Sequence, residues 1–220
     1  MTSSGRLRTG SHGARAGGGA TPTVPPALPE RFARAVAQLG ALRPRREIEL
    51  TELPPPQRLA PHAYAVSGVV RGDPRRTSLE EVANGRLILL YDPGAPEPWG
   101  GDLRLVTYVT AELEPDLATD PLLPEVGWSW LTDALATHDA GYTALAGTVT
   151  QTTSTRFGDL AGPPPAADVE IRASWSPVDR SGGLPDLEAH ALAWCGLLAS
   201  TAGLPPPGVS ALPDRRFGGA

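Results

Sequence analysis

The segment from Asp102 to Glu114 has the most regular alternation of apolar and polar residues in the chain, and this alternation limits the fold more than any other feature. Successive side chains of a β-strand point to opposite faces of a sheet, so the segment predicts a strand with one buried and one solvated face. Such two-faced strands are typical of antiparallel sheets. The apolar set is Leu103, Leu105, Val109, Ala111 and Leu113, and the polar set is Arg104, Tyr108, Thr110 and Glu112.

Five further segments are predicted as strands, from period-two alternation or from short apolar runs beside turn signals. The dipeptide Asn84-Gly85 predicts a turn before the third of them, because this pair suits tight hairpins. A proline triplet at residues 163–165 is expected to join the last two segments as an antiparallel pair. The five segments are residues 47–53, 64–70, 86–91, 142–157 and 167–175.

Three helices are also predicted. Phe32, Val36 and Leu39 recur at helical spacing within residues 29–42. Asp120-Pro121 offers a capping carboxylate and a first-turn proline for a second helix that reaches about His138. The third helix, residues 185–201, is apolar on nearly all sides and is expected to be deeply packed.

This order of elements predicts one α+β domain over residues 27–205, an antiparallel sheet of about five to six strands with helices packed on one face. Residues 1–26 form a basic tail, rich in Gly and Pro, that has too few large apolar residues to fold. Residues 206–220 are expected to form a flexible C-terminal tail. The order of elements also resembles the secretion-chaperone-like α+β fold, whose members often dimerise and bind other polypeptides.

Charge is divided unevenly along the chain. The formal net charge is −5, yet residues 1–46 carry +7 and the remainder carries −12. An acidic domain repels phosphate backbones, because nucleic-acid affinity comes mostly from Arg and Lys that displace counterions. The sequence therefore argues against nucleic acid as the main partner. The chain has no lysine and a single asparagine, Asn84, which suggests a GC-rich genome.

The single cysteine, Cys195, excludes an intrachain disulfide and any metal site built from several cysteines. Residues 1–23 contain no apolar run of signal-peptide length. No later stretch approaches the roughly eighteen consecutive apolar residues of a membrane-spanning helix. We therefore expect a cytoplasmic protein that does not enter a membrane.

The sequence carries no recognisable catalytic motif. It lacks a P-loop, a G-x-G-x-x-G that follows a strand and a G-x-S-x-G nucleophile elbow. Its four histidines lack the spacing of zinc sites. His138-Asp139 is expected at a helix end, and Cys195 is expected to be a buried structural thiol. We therefore predict no catalytic residue, no metal site and no cofactor.

Two tryptophans and a group of carboxylates are the first candidates for a partner-binding surface. Trp128 and Trp130 are two residues apart on a predicted helix, about 200° around its axis, so both cannot face one core. An exposed Trp130 beside the carboxylates would suit a basic segment of a partner. The alternative is that the last helix or a loop covers Trp130. The carboxylates are Glu112, Glu114, Asp116, Asp120 and Glu125.

Two blocks of the chain resemble a known family. They are Arg104-Leu-Val-Thr-Tyr-Val-Thr-Ala-Glu-Leu-Glu-Pro-Asp and Asp120-Pro-Leu-Leu-Pro-Glu-Val-Gly-Trp-Ser-Trp-Leu. On these blocks the chain resembles the actinobacterial proteins grouped as domain of unknown function 3000 (DUF3000). The resemblance implies a cytoplasmic protein of a GC-rich actinobacterium, in a family with no assigned activity, cofactor or catalytic residue.

Two functional hypotheses follow. The first is a non-catalytic protein-binding or adaptor module, which the missing motifs, the acidic domain and the tryptophan pair favour. The alternative is a small-ligand-binding protein or enzyme whose pocket lies on the sheet face, formed by Arg104, Tyr108, Thr150 and Arg172. The resemblance to the secretion-chaperone-like fold, whose members often dimerise, makes a homodimer one candidate assembly in either case.

Overall fold

The computed structural model describes residues 28–72, 81–113, 117, 120–162, 166–181 and 183–206. The predicted tail of residues 1–26 and nearly all of the predicted tail of residues 206–220 lie outside this set. Glu114 and Asp116 of the predicted carboxylate group lie outside it as well.

The described residues form a six-stranded antiparallel sheet and three α-helices, which confirms the predicted α+β class. In chain order the elements are α1 (Glu30–Gly40), β1 (Ile48–Leu53), β2 (His62–Arg71), β3 (Glu81–Tyr91), β4 (Leu103–Glu112), α2 (Leu123–Thr137), β5 (Tyr142–Ser154), β6 (Ala166–Pro177) and α3 (Leu187–Thr201). The strands lie in the order β1-β2-β3-β4-β6-β5. Four strands precede α2, one more than in the secretion-chaperone-like order.

The core lies between the helices and one face of the sheet, here called the helix-covered face. The alternation predicted for β4 is confirmed, since Leu105 and Val109 are fully buried there while Tyr108 on the opposite parity is partly exposed. Ile171 of β6 and Trp194 of α3 belong to the same buried cluster. The opposite face, here called the open face, carries no helical layer among the described residues.

The helices divide the helix-covered face between them. The third helix crosses β2, β3 and β4, and α2 lies over β5 and β6. The first helix lies at one end of this face, where the Phe32 ring stacks on Tyr91 with 5.9 Å between ring centroids. The side chain of Gln38 accepts a hydrogen bond from the Leu187 amide, 2.7 Å long, and so joins α1 to the start of α3. The described helices are all too short or too polar to cross a membrane.

The Asn84-Gly85 pair lies inside β3, so the turn predicted there is wrong. Gly85 is directly opposite Gly68 of β2. A Cβ atom on Gly68 would lie 2.7 Å from a methyl group of Leu198, and one on Gly85 would lie 3.0 Å from the other methyl group. The glycine is therefore needed because α3 approaches the sheet closely, and the chain does not reverse at this point.

The start of α2 also differs from the prediction. The helix begins at Leu123, and the residue that precedes it, Leu122, caps it with no side-chain hydrogen bond. The Asp120 carboxylate instead accepts a hydrogen bond from the Leu122 amide, 2.8 Å long, in the turn before the helix. The first turn contains Pro124 where Pro121 was expected, and proline is tolerated there because the first amides have no helical partner.

Candidate functional site

Two arginines and a tyrosine form a cross-strand row in the middle of the open face. Arg86 of β3 is directly opposite Tyr108 of β4, and Tyr108 is directly opposite Arg172 of β6. Directly paired residues of antiparallel strands point to the same face, so the three side chains lie next to one another. We call Arg86, Tyr108 and Arg172 the arginine row. Ser67 and Thr148 continue it on the two sides.

The arginine row crosses a broad depression of about 930 Å³ on the open face. The depression is wide and shallow, and no helix that the structure describes lies over its centre. Its lining is mixed. Besides the arginine row it includes Ile88, Val106, Thr148 and Ser174.

The Arg172 side chain is held in place on both sides. Its guanidinium lies over the Tyr108 ring, 5.6 Å from the ring centre, and its Nε atom is 2.8 Å from a carboxylate oxygen of Glu170. The side chain is still 65% exposed. Stacking and one ion pair leave several N–H donors free to point away from the sheet, because a guanidinium has five donors in a planar fork. Arg172 is therefore oriented for an external acceptor.

Arg86 occupies the other side of Tyr108 and is exposed. No carboxylate among the described residues forms an ion pair with it. An exposed arginine without a neighbouring carboxylate can direct its guanidinium donors to an external acceptor. The centre of the open face is thus positively charged, although the chain from residue 47 onward carries −12.

Arg104 has a structural position at one end of the open face. It is 9% exposed. Its guanidinium donates to the Ala144 carbonyl (2.9 Å) and to the Ser174 hydroxyl (2.7 Å). Ala144 has a left-handed φ of 51° at an irregularity in the β5–β6 pairing, so these bonds hold the distorted start of β5. Burial lowers the pKa of Arg104 from its usual value.

The four residues predicted for a sheet-face pocket share the open face, but they are not all together. Tyr108 and Arg172 are in contact, whereas Arg104 is at the buried end. Thr150 is exposed and pairs with Glu170, one row away from the arginine row and outside the depression.

The structure separates Glu112 from the predicted tryptophan pair and leaves Glu125 on the same helix as the tryptophans. A Cβ on Gly147 would lie 2.8 Å from the Trp128 ring, so Trp128 lies over β5 on the helix-covered face. Trp130 is half-buried against the core, one turn before Ala134, which faces Gly196 of α3. Glu112 pairs with Asp168 on the open face, and Glu125 is exposed in the first turn of α2. These positions do not form one continuous patch.

A model of the family described as "Protein of unknown function (DUF3000)" matches residues 28–210. The chain belongs to the DUF3000 family. The match includes every helix and strand described above, so the open face and the arginine row are part of the DUF3000 region of the chain. No curated protein and no solved structure matches the chain significantly.

The titratable residues His190, Cys195 and Asp139 of this DUF3000 protein lie in the core or at a helix end, where their contacts stabilise the fold. Nδ1 of His190 accepts a 3.1 Å hydrogen bond from Nε1 of Trp175, inside the core. Burial lowers the pKa of His190 to about 4 and raises the pKa of Cys195 to about 12. Asp139 forms an ion pair with Arg180 at the end of α2. No three of the described His, Cys, Asp and Glu side chains lie close enough to hold a metal ion.

Sequence reasoning missed Arg86, the member of the row with no carboxylate partner. A signal was present, since Arg86 is the only charged residue between Glu81 and Tyr91. The Asn84-Gly85 pair placed Arg86 at the predicted start of the strand, where a charged residue is ordinary. Only the register of β3 with β4 shows that it lies beside Tyr108 at the centre of the DUF3000 sheet.

Proposed function

We propose that this DUF3000 protein is a non-catalytic adaptor that binds an acidic segment of another polypeptide across the open face of its sheet. The observation that carries the proposal is the arginine row, in which Arg86 and Arg172 flank Tyr108 on a face that none of the described helices covers. Guanidinium groups bind carboxylates through paired, charge-assisted hydrogen bonds. The guanidinium groups of Arg86 and Arg172 are on strands on either side of β4, so together they would bind two acidic side chains.

The shape of the depression supports a polypeptide as the ligand. Small-molecule sites bury most of the ligand surface within concave walls, whereas this depression is broad and open above its centre. Ile88 and Val106 form an apolar strip directly beside Arg86 and Tyr108. A segment that carries both apolar and acidic residues would match the strip and the row together.

The charge around the depression argues against a nucleic acid. Glu81, Glu112 and Asp168 line a small depression at one end of the same face. These carboxylates would repel a phosphate backbone that ran past the two arginines, and backbone binding needs many cationic contacts. A polypeptide can instead place a basic residue at this end.

The proposal places the protein in the cytoplasm of an actinobacterium. A single buried cysteine without a disulfide partner suits a reducing compartment. The use of arginine alone and the single asparagine suit a GC-rich genome.

Fluorescence anisotropy with defined peptides tests the proposed function. The probe is a labelled peptide in which glutamate alternates with threonine and leucine, and its control has glutamine at every glutamate. We expect the acidic peptide to bind at low salt and the control to bind at least about tenfold more weakly. Arg86→Gln should weaken binding of the acidic peptide about tenfold, whereas Arg34→Gln, on the exposed side of α1, should not.

Three outcomes would contradict the proposed function. The first is equal binding of the acidic and neutral peptides. The second is equal loss for Arg86→Gln and Arg34→Gln, which would mean that only the total charge matters. The third is tighter binding of a single-stranded RNA than of the acidic peptide.

The alternative function, a small-ligand protein with its site on the sheet face, uses the same two arginines. Inorganic pyrophosphate and citrate are suitable probes because both are compact polyanions. A rise in Tm with either compound that Arg86→Gln abolishes, together with no binding of the acidic peptide, would support this alternative.

A further inference from the structure

The two edges of the sheet differ in a way that points to a second binding surface. The strand β5 forms one edge, is 13 residues long and, among the strands that the structure describes, pairs with β6 alone. It contains no charged residue and no proline. Long uncharged edges offer unpaired backbone N–H and C=O groups to another strand, and natural proteins usually block them.

The opposite edge, β1, is blocked in the usual ways. It has only six residues, and Glu49 and Glu52 are two of them. The three prolines 54–56 follow at once and cannot donate to a ladder. Glu49 is also engaged by Arg71, with 2.9 Å between the charged atoms. Among the described residues, therefore, β1 is protected along its length, whereas β5 is irregular only between Thr143 and Ala146 and is a regular, uncharged edge from Ala146 to Ser154.

Partly or fully exposed apolar side chains lie beside β5 on the helix-covered face and near both ends of the strand. Trp128 lies over Gly147 of β5 and remains partly exposed. Tyr142 at the start of the strand is 39% exposed, and Phe157 just beyond its end is 79% exposed. Exposed apolar side chains grouped around one element mark an interaction site.

We propose that β5 pairs with β5 of a second copy of this chain, antiparallel and around a two-fold axis perpendicular to the sheet. Such a pairing would join two six-stranded sheets edge to edge. The helix-covered faces would lie on the same side, so that the two Trp128 side chains approach each other across the axis. The proposal is independent of the function proposed for the arginine row.

The chemistry of β5 favours its own copy as the occupant. A two-fold axis brings each residue near its own copy, so any charge near the axis would face a like charge. The strand carries none. Its exposed face residues Thr148 and Thr150 suit each other, because cross-strand threonine pairs are favourable. The partly exposed Trp128 on each copy would add apolar area beside the strands.

Charge reversal at the edge tests the proposal. Sedimentation equilibrium of the full chain should give twice the monomer mass of 22.9 kDa at micromolar concentration. The double variants Thr148→Glu/Thr150→Glu and Thr148→Lys/Thr150→Lys should each raise the dissociation constant of the dimer at least about tenfold. An equimolar mixture of the two should restore the dimer as a heterodimer. Thr148 and Thr150 are both exposed; Thr148 pairs with Arg172, and Thr150 pairs with Glu170. In each double variant, therefore, one new charge is opposite a residue of opposite charge and the other is opposite a residue of like charge.

The matched control lies on the other edge. Thr51→Glu and Thr51→Lys each place one charge of the same sign on β1, against two in the β5 variants; Thr51 is exposed, and these changes should leave the dimer intact. A monomer for the unmodified chain at about 100 μM would overturn the proposal, since a useful self-association is tighter than that. A dimer that persists in both β5 double variants, or that Thr51→Glu dissolves equally, would also overturn it.

Discussion

The guanidinium of Arg172 lies 5.6 Å from the centre of the Tyr108 ring, on the face of the sheet opposite the three described helices. The contact orients Arg172 without using up its hydrogen-bond donors. It also fixes a planar cation beside Ile88 and Val106, which gives the open face an apolar part and a charged part next to each other.

The ring of Tyr108, and not its hydroxyl group, should support binding of the acidic peptide, because the ring is what stacks on Arg172. Tyr108→Phe keeps the ring, and we expect it to bind the acidic peptide as the unmodified chain does. Tyr108→Leu removes the stacking partner and should weaken binding about threefold to tenfold, because a partly exposed cation–π contact is worth roughly 1 kcal/mol. Anisotropy titration measures both. A loss for Tyr108→Phe equal to that for Tyr108→Leu would show that the hydroxyl acts instead.

Gly85 should be intolerant of even a methyl group. Gly85→Ala places a Cβ 2.8 Å from the Tyr108 carbonyl oxygen and 3.0 Å from Leu198, so both the neighbouring strand β4 and α3 have to shift away from it. We expect a loss of about 1–3 kcal/mol in the free energy of unfolding, the usual cost of overpacking a core. Urea denaturation measures it, and Asn84→Ala on the open face serves as the control. Equal effects at the two positions would mean that the approach of α3 is not the reason for the glycine.

His190 should make the folded chain less stable as the pH falls from 6.5 to about 4. Burial lowers its pKa to about 4 in the folded chain, against an ordinary value of 6.5. Between these values the unfolded chain binds a proton that the folded chain does not, so a fall in pH favours unfolding. Its contribution, about 3 kcal/mol, should be complete above pH 6.5 and lost as the pH falls to about 4.

Comparison with His190→Gln isolates this effect from that of the carboxylates. Glutamine can still accept the hydrogen bond from Nε1 of Trp175, but it does not titrate. The unfolding free energy of the variant, measured in urea, should vary less between pH 7 and pH 4 than that of the unmodified chain. Identical pH profiles would contradict the assignment.

Cys195 should be unreactive in the folded protein. Burial raises its pKa to about 12, and the thiolate is the form that reacts with alkylating reagents. At pH 8 we expect iodoacetamide to label it at least about a hundred times more slowly than a free thiol. The rate should reach that of the free thiol in denaturing urea. Fast labelling without urea would show that α3 opens locally.

The sequence predicted the parts of the fold that depend on local patterns. The two faces of β4 followed from strict alternation, and the deep burial of α3 followed from its apolar surface. Neither pattern depends on which strands are neighbours. The fold class could therefore be predicted from single segments and their order.

The functional site depended on pairings that no single segment encodes. Arg86 and Arg172 are far apart in the chain, and Tyr108 joins them only through two strand registers. The Asn84-Gly85 pair has the same local appearance in a turn as in a strand beneath a close helix. The separation of Glu112 from Trp128 likewise follows from the sheet, which puts the end of β4 and the contact surface of α2 on opposite sides.

The position of β6 between β4 and β5 has a consequence for how the chain is made. On the ribosome β4 and β5 emerge first, yet among the described strands β5 pairs with β6 alone, and β6 also occupies the side of β4 away from β3. Until about residue 177 has left the exit tunnel, the nascent chain carries two strands that await the same partner. Translation that stops before β6 therefore yields a fragment with an unfinished sheet, a ready target for chaperones and proteases.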